Sequence, residues 1–164
     1  MLTDFFSKEI IVFLLGAAPV SEVRGAIPVG MLVFGFPVLK TYILATLGNI
    51  TPVIPLLLFL DRFSKYLMKK SLLLNNFFNW LFERTRVKHS GHFDKWKYAP
   101  LALFIFVAIP VPLTGAWSGV IAAIIFGIPF FEAAVSISLG VAVAGVLVVL
   151  LTSLGILTAS QFML

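Results

Sequence analysis

The 164-residue sequence contains no cysteine, and only 12% of its residues are charged, about half the share of a typical soluble protein. Without cysteine there is no disulfide framework, no thiol nucleophile and no cysteine-ligated zinc or iron–sulfur cluster. Apolar residues make up 60% of the chain, and its mean hydropathy is +1.09. This composition excludes a soluble enzyme, a disordered tail and a secreted disulfide scaffold, and it predicts an integral membrane protein.

The formal net charge of +5 is concentrated in the middle of the chain. Residues 61–98 carry nine Lys or Arg against three Asp or Glu, which is +6, so the remaining residues sum to −1. From residue 99 onward, Glu132 is the one formally charged side chain. The basic balance therefore indicates a connecting segment on an anionic membrane surface rather than nucleic-acid binding. The positive-inside rule predicts that this segment is cytoplasmic.

Apolar stretches of two lengths occur along the chain. Two of them, 42–60 and 133–151, reach the roughly 20 residues that a transmembrane helix needs, and the second can extend to residue 157. Proline-rich breaks at 19–28 and 110–117 are each flanked by shorter apolar pieces. This pattern predicts re-entrant hairpins, because irregular backbone at membrane depth must be covered by protein or a wet cavity. Two ordinary loops between short, tilted spans are the alternative interpretation.

The two halves of the chain resemble each other. The F-G-F-P sequence at 34–37 matches F-G-I-P at 126–129 at an offset of 92, and the G-A pair of the first break recurs in the second at an offset of 90. A hairpin returns to its own side and one span then crosses, so two such halves would have opposite orientations, as in many secondary transporters. Chance similarity between apolar sequences is the alternative.

We therefore predict an all-α integral membrane protein built from two inverted repeats, residues 1–60 and 99–164. Each repeat would contain a re-entrant helical hairpin and one full transmembrane helix. The basic segment 61–98 that joins them has aromatic residues beside basic ones, which favours an amphipathic helix lying at the membrane interface. A plain cytoplasmic helical hairpin is the alternative for this connector.

Glu22 and Arg24 are a charged pair inside an otherwise apolar block, where an unpaired charge would cost about 2.5–3.5 kcal/mol. Residues i and i+2 lie on the same side of an extended segment but on opposite sides of a helix. Pro19, Gly25 and Pro28 favour the extended or broken conformation. We expect a buried pair in which Arg24 binds a phosphate or carboxylate and Glu22 binds a proton or cation. A polar loop at the water interface is the alternative.

The second break, P-V-P-L-T-G-A-W, begins at Pro110 and includes Pro112 but has no charge. Thr114 supplies a hydroxyl, and Gly115 leaves backbone groups accessible. The start of a half-length helix presents unpaired N–H groups that suit an anion, and the Trp117 indole could cap such a site. An interfacial tryptophan and a packing glycine are the alternative.

Asn49 and Thr51 interrupt the first full span together with two prolines, whose missing N–H groups leave carbonyls unpaired. Both residues are candidates for lining a pathway, and a simple helix kink is the alternative. His89 and His92 have a spacing that can hold a metal, but the chain has no further histidine to complete a site. We therefore expect no metal and no cofactor.

Two fragments resemble enzyme motifs. Ser90-Gly91-His92 is similar to part of a lipid-phosphatase motif, and Ser118 precedes a glycine as in intramembrane serine proteases. The sequence lacks the remaining histidine boxes of the lipid-phosphatase motif. It also lacks a histidine in a later span that could activate Ser118 as in a serine protease. We therefore expect no enzymatic activity.

Two signatures carry a family resemblance: E-V-R-G-A-I-P-V-G at 22–30 and P-V-P-L-T-G-A-W-S-G at 110–119. From about residue 9 to residue 157 the chain resembles the small multidrug export family of prokaryotic membrane proteins, which is distantly similar to the DedA-like, SNARE-associated membrane proteins. The family resemblance implies export of small toxic compounds. The wider superfamily implies re-entrant inverted repeats, embedded acid and arginine residues, proton dependence and movement of phospholipids or lipid carriers. This chain departs from it by having no acid or arginine in the second break.

We expect a multi-pass transporter of the plasma membrane that exports small compounds by alternating access at two facing breaks. Glu22 would be its proton- or cation-coupled acid. A DedA-like translocase of phospholipids or lipid carriers is the first alternative, and a non-transporting membrane scaffold is the second. The expected partners are membrane lipids and a small-molecule or lipid substrate, without nucleic acid. The many glycines, which allow close helix contact, favour a homodimer.

Overall fold

The structure is a computed structural model that describes residues 7–59, 62, 98–111 and 114–162, with the side chains of the last helix described as far as residue 155. All regular structure within those ranges is helical, which confirms the predicted all-α class. In chain order the helices are α1 (Lys8–Ala17), α2 (Glu22–Pro28), α3 (Val38–Ile50), α4 (Ala99–Ala108), α5 (Ala116–Ile125) and α6 (Phe130–Phe162). Most of the predicted connector 61–98, with both histidines, and Pro112 lie outside the described residues.

Among the described residues, two helices are long and apolar enough to cross a membrane, as the sequence predicted. The first comprises α3 and its continuation after a turn at Thr51–Pro52, and spans Val38–Phe59. The second is the Phe130–Gly155 part of α6. Protein buries only 33% and 39% of their most apolar windows, so most of their side chains need another apolar cover. Lipid supplies that cover for a membrane helix.

The other helices are short. Helices α1, α4 and α5 each have ten residues, which is about 15 Å of helix and half the thickness of a hydrocarbon core. Between α1 and α2 the chain turns at residues 18–21, and between α4 and α5 the described residues 109–111 and 114–115 are not helical. Each half thus contains a short helix, a break and a second short helix.

One expectation about the first break is wrong: Glu22–Pro28 is helical rather than extended. A helix satisfies its own backbone groups, which matters where water is scarce. Pro28 is the last residue of α2, and a π-helical turn, Val29–Val33, follows it. Because proline has no N–H, the regular α-helical pairing is interrupted at this residue.

Glycines allow α1 and α4 to lie against the long helices. The Cα of Gly48 in α3 lies against the carbonyl of Phe13 in α1, leaving no room for a Cβ. Gly16 of α1 in turn faces the Ala45 carbonyl of α3, so these two helices run antiparallel. In the second half, Gly140 of α6 faces the carbonyl of Phe104 in α4. The same kind of contact therefore holds each short helix to the long helix of its own half.

The two F-G-x-P turns have the same backbone conformation at their glycines. Gly35 has φ +65° and Gly127 has φ +64°, a left-handed region that is costly for other L residues. The two halves then meet along the long helices, where the Tyr42 hydroxyl of α3 donates to the Ala142 carbonyl of α6 at 3.1 Å. Gly145 of α6 lies under the Tyr42 ring.

Candidate functional site

The two breaks come together in the interior of the protein. The Arg24 side chain of α2 reaches the second break, where its Nη2 donates to the Thr114 carbonyl oxygen at 2.6 Å and to the Thr114 hydroxyl at 3.2 Å. The same hydroxyl donates to carbonyls at the end of α4, namely Ile109 at 2.7 Å and Val111 at 2.8 Å. Thr114 therefore links the guanidinium to the fold of the second break.

The Glu22 carboxylate lies at the beginning of α5. Glu22 is 5% exposed, and its Oε1 accepts a long hydrogen bond from the Trp117 N–H at 3.5 Å. The N–H of Ala116 also faces this carboxylate. The other oxygen, Oε2, is 3.9 Å from Arg24 Nη2, which is an ion-pair distance. The carboxylate thus lies between a guanidinium and the positive end of a helix.

Gly115 makes room for the Glu22 carboxylate. A Cβ at this position would overlap both carboxylate oxygens, so any larger residue would displace the acid. The Gly115 N–H is already satisfied, because it donates to the Ser118 hydroxyl at 2.8 Å. The Ser118 hydroxyl donates back to the Gly115 carbonyl at 3.1 Å. The next free donors of α5, on Ala116 and Trp117, are those that face Glu22.

Trp117 makes a further contact between the breaks. Its indole Nε1–H donates to the Ala17 carbonyl at 3.2 Å, at the C-terminal end of α1. Together with the Arg24 and Glu22 contacts, this hydrogen bond joins the ends of α1 and α2 to the start of α5. The site is therefore the junction of the two breaks.

The backbone at Glu22 is unusual. Its φ is +47°, the one positive φ of a non-glycine residue among the described residues. A left-handed conformation costs such a residue of the order of 1–2 kcal/mol, and such outliers concentrate at functional sites. Next to it, the Ser21 hydroxyl donates to the Leu15 carbonyl, and the Glu22 N–H donates to the Ala18 carbonyl at 3.1 Å. These bonds hold the chain in the turn that places the carboxylate.

Arg24 has unused hydrogen-bonding capacity. Its side chain is 22% exposed, but its Nε is buried and has no hydrogen-bond partner. Its described bonds all come from Nη2. A planar guanidinium can bind an oxyanion with two parallel hydrogen bonds, and Arg24 has a free nitrogen with which to make one of them.

The other candidate residues lie in different surroundings. Pro19 is exposed in the first turn, and Gly25 lies inside α2 with the Ser21 Cβ 2.8 Å from the position of a built Cβ. Pro28 ends α2, and Pro110, partly buried, follows α4. These four residues shape the backbone around the junction, whereas Pro112 is not among the described residues.

Asn49 and Thr51 are not hydrogen-bonded to this junction. Asn49 is 1% exposed, and its Oδ1 has no partner. Thr51 is exposed, and its hydroxyl donates to the Leu47 carbonyl of its own helix at 2.7 Å. Within the described ranges, no group of three or more His, Cys, Asp or Glu residues is placed to hold a metal ion.

Sequence reasoning missed two contributors to the site. Ser118 orders the start of α5, and its position three residues after Gly115 is the spacing of a helix capping box. Reading that spacing would have placed the N-terminus of α5 at Gly115. The Ala17 carbonyl that binds Trp117 carries no sequence signal, because every residue has a carbonyl.

Comparison with known protein families gives a match to this chain. The family model described as "Putative small multi-drug export protein" matches residues 22–147, which include Glu22 and the start of α5. Searches of curated proteins and of solved structures found no match.

Proposed function

Because this chain belongs to the small multi-drug export family, we propose that it is a proton-coupled membrane transporter that works by alternating access at its two helix breaks. The observation that carries the proposal is the contact between the breaks through Glu22 and Arg24. Glu22 binds the coupling proton, and Arg24 holds either Glu22 or a group of the substrate. The protein acts as a carrier without enzymatic chemistry.

The geometry of the two halves supports an inverted-repeat architecture. At the offset of 90 that aligns Gly25 with Gly115, Arg24 aligns with Thr114, and these two residues bond to each other. An element that touches its own counterpart is characteristic of two-fold symmetry. The similar φ values of Gly35 and Gly127, which align at the offset of 92 of the F-G-x-P turns, also support a repeat. We propose that each half is a re-entrant hairpin followed by one span, with the breaks meeting near the bilayer midplane.

The burial of Glu22 supports its role in coupling. Among the described residues Glu22 is the buried acidic residue, whereas the Glu9 side chain is 42% exposed and Glu132 is exposed. An ionisable side chain within the membrane is expensive and generally serves a function. When Glu22 binds a proton, it loses its attraction to Arg24 and to the α5 N-terminus. The junction between the breaks then loosens, as an alternating-access cycle requires.

The distribution of charge supports an orientation. Because basic loops are retained in the cytoplasm, we propose that the +6 segment 61–98, and with it the end of the first span, lies on the cytoplasmic side of the plasma membrane. The first break then approaches the site from outside and the second from the cytoplasm. The side of the membrane on which segment 61–98 lies can be tested by labelling a single cysteine introduced there, since the natural chain has no other cysteine to react.

The function is tested by transport in proteoliposomes under an imposed proton gradient. One assay follows efflux of a cationic dye and a second follows translocation of fluorescent phospholipid. The wild type is compared with Glu22→Gln and with Glu9→Gln, a matched control at an exposed glutamate. We expect gradient-dependent movement that is lost in Glu22→Gln and retained in Glu9→Gln.

Each pattern of results has a distinct meaning. Dye efflux that depends on Glu22 supports the exporter, whereas lipid movement alone identifies a DedA-like translocase. No movement of either probe by the wild type, or movement unchanged in Glu22→Gln, contradicts the proposed mechanism. A non-transporting scaffold predicts that the wild type moves neither probe.

A further inference from the structure

We propose that the Glu22 carboxylate occupies a binding site for an oxyanion, and that a carboxylate or phosphate group of the substrate takes its place when Glu22 is protonated. The binding site is defined here as the space between Arg24, Gly115 and the N–H groups of Ala116 and Trp117, and is called the oxyanion site. Its role in transport rests on the proposed function, but its ability to bind an anion does not.

The oxyanion site already contains an oxyanion, which belongs to the chain itself. The Glu22 side chain is 7% exposed, so its carboxylate is enclosed by protein. Two backbone N–H groups and a guanidinium face it, which is the donor set that recognises carboxylates and phosphates. The long distances, 3.5 Å to Trp117 N and 3.9 Å to Arg24 Nη2, show that Glu22 does not bind these donors tightly.

The shape of the site fits a carboxylate-sized group. The missing Cβ of Gly115 leaves the space that the carboxylate fills. Glu22 has a positive φ where its carboxylate lies in this space, and this backbone conformation is costly in free energy. A free oxyanion would fill the same space without that cost.

Charge balance prevents the ionised Glu22 carboxylate and a substrate anion from occupying the oxyanion site together. Arg24 is the one cationic side chain in contact with Glu22 among the described residues, and the facing groups from α1 and α5 are uncharged. Ionised Glu22 and a substrate anion together would place two negative charges beside one positive charge in a buried site. A proton on Glu22 removes one of them, so that one proton is taken up for each anion bound.

The first test empties the site and offers it a free carboxylate. Glu22→Gly removes the side chain and also suits the positive φ, so it is the variant most compatible with the fold. The melting temperature of the purified full chain is measured against increasing acetate, with sodium chloride at matched ionic strength and with acetamide as the neutral isostere. We expect acetate alone to raise the Tm saturably, by about 3–5 °C at tenfold excess over its Kd.

Two matched variants refill the site. Glu22→Gln keeps a side chain of the same shape in place, and Gly115→Ala in the Glu22→Gly background puts a methyl group where the carboxylate was. Acetate should stabilise neither variant more than chloride does. The proposal is overturned if Glu22→Gly responds to acetate no more than to chloride or acetamide, or if the double variant responds equally.

A second measurement uses the wild-type acid and so does not depend on the folding of Glu22→Gly. Trp117 lies at the site, and replacing Trp80 and Trp96, the other two tryptophans, with phenylalanine makes it the sole indole reporter. Inorganic phosphate should change Trp117 fluorescence at acidic pH, where Glu22 binds a proton, and at least tenfold less at neutral pH. Equal responses at both pH values contradict exclusive occupancy.

An experiment with lipids shows whether the bound anion is a lipid headgroup or a soluble anion. The same reporter protein is placed in nanodiscs of phosphatidylcholine with or without phosphatidic acid. A fluorescence change with phosphatidic acid and none with soluble phosphate identifies a lipid headgroup, and the reverse identifies a soluble anion. No response to either at acidic pH contradicts the proposal. If Glu22→Gly binds acetate but the wild type transports nothing, the oxyanion site is supported and the proposed transport function is contradicted.

Discussion

The two breaks contribute different chemical groups to one junction. The first contributes an arginine and an acid with a strained backbone, whereas the second contributes a glycine, a threonine and the start of a helix. Neither break could hold its distinctive feature alone. Glu22 and Arg24 would be an under-solvated pair, and the N–H groups of α5 would lack partners. The difference teaches that the groups of one site are divided between the two halves of the chain.

The largest expected effect is at the glycine of the second break. Gly115→Ala places a Cβ on the Glu22 carboxylate, whereas Gly25→Ala, at the aligned position of the first break, meets only the Ser21 Cβ. We expect the first substitution to cost about 4 kcal/mol, because it combines overpacking with a displaced buried charge, and the second about 1 kcal/mol. Thermal unfolding in detergent measures both. Equal losses would show that the breaks are not divided in this way.

Next come the glycines that hold the short helices to the long ones. Gly48→Ala would push a Cβ into the Phe13 carbonyl, and Gly140→Ala would meet the Val107 side chain first and the Phe104 carbonyl at 3.0 Å. We expect losses of about 3 and 1–2 kcal/mol, since a side chain yields more readily than a backbone. Gly155→Ala is the control, because nothing lies within 4 Å of its added Cβ. A loss at Gly155 as large as at Gly48 would contradict this packing.

The two F-G-x-P turns sharpen the comparison where the halves are alike. Gly35→Ala and Gly127→Ala each force a Cβ into the left-handed region, so we expect similar losses of about 1 kcal/mol. Replacing either glycine with asparagine should cost less, because asparagine tolerates this conformation better. Unfolding measurements that found only one turn sensitive would count against a common frame.

The smallest expected effect is at the surface of the first half. Lys40 donates to Glu9 at 2.7 Å, and this hydrogen bond holds the pKa of Glu9 below its ordinary value of 4.5. The pair therefore contributes stability above that ordinary pKa, and the contribution disappears as the pH falls through the lowered pKa of the folded state. Lys40→Met should flatten the Tm profile slightly between pH 6 and pH 3. Because Glu9 is exposed, a large change in the profile would be unexpected.

Much of the frame could be predicted from the sequence. Long apolar runs identified the two spans, because a helix must be about 20 residues long to cross a bilayer. Proline and glycine placed the breaks, and the lone charges identified Glu22 and Arg24. The sequence also singled out Thr114, Gly115 and Trp117, and the structure brings all three to the same junction.

The conformation of the first break could not be predicted in the same way. The i,i+2 spacing of Glu22 and Arg24 favoured an extended segment, because in a regular helix the two would point apart. The left-handed φ of Glu22, the first residue of α2, changes the direction of its side chain. A glutamate at this position does not predict a left-handed φ. The Tyr42–Ala142 contact was equally hidden, since core-facing and lipid-facing sides of a membrane helix are both apolar.

The length of α6 has a consequence for the bilayer around the protein. Its apolar part, Phe130–Gly155, is 26 residues or about 39 Å long, whereas Val38–Phe59 is 22 residues or about 33 Å. A hydrocarbon core of about 30 Å matches the shorter helix closely and leaves the longer one in excess by about 9 Å. Since the two helices touch at Tyr42 and Ala142, a change in membrane thickness acts unequally on them and strains that crossing. We therefore expect the chain length of the lipids to affect the second half of the protein more than the first.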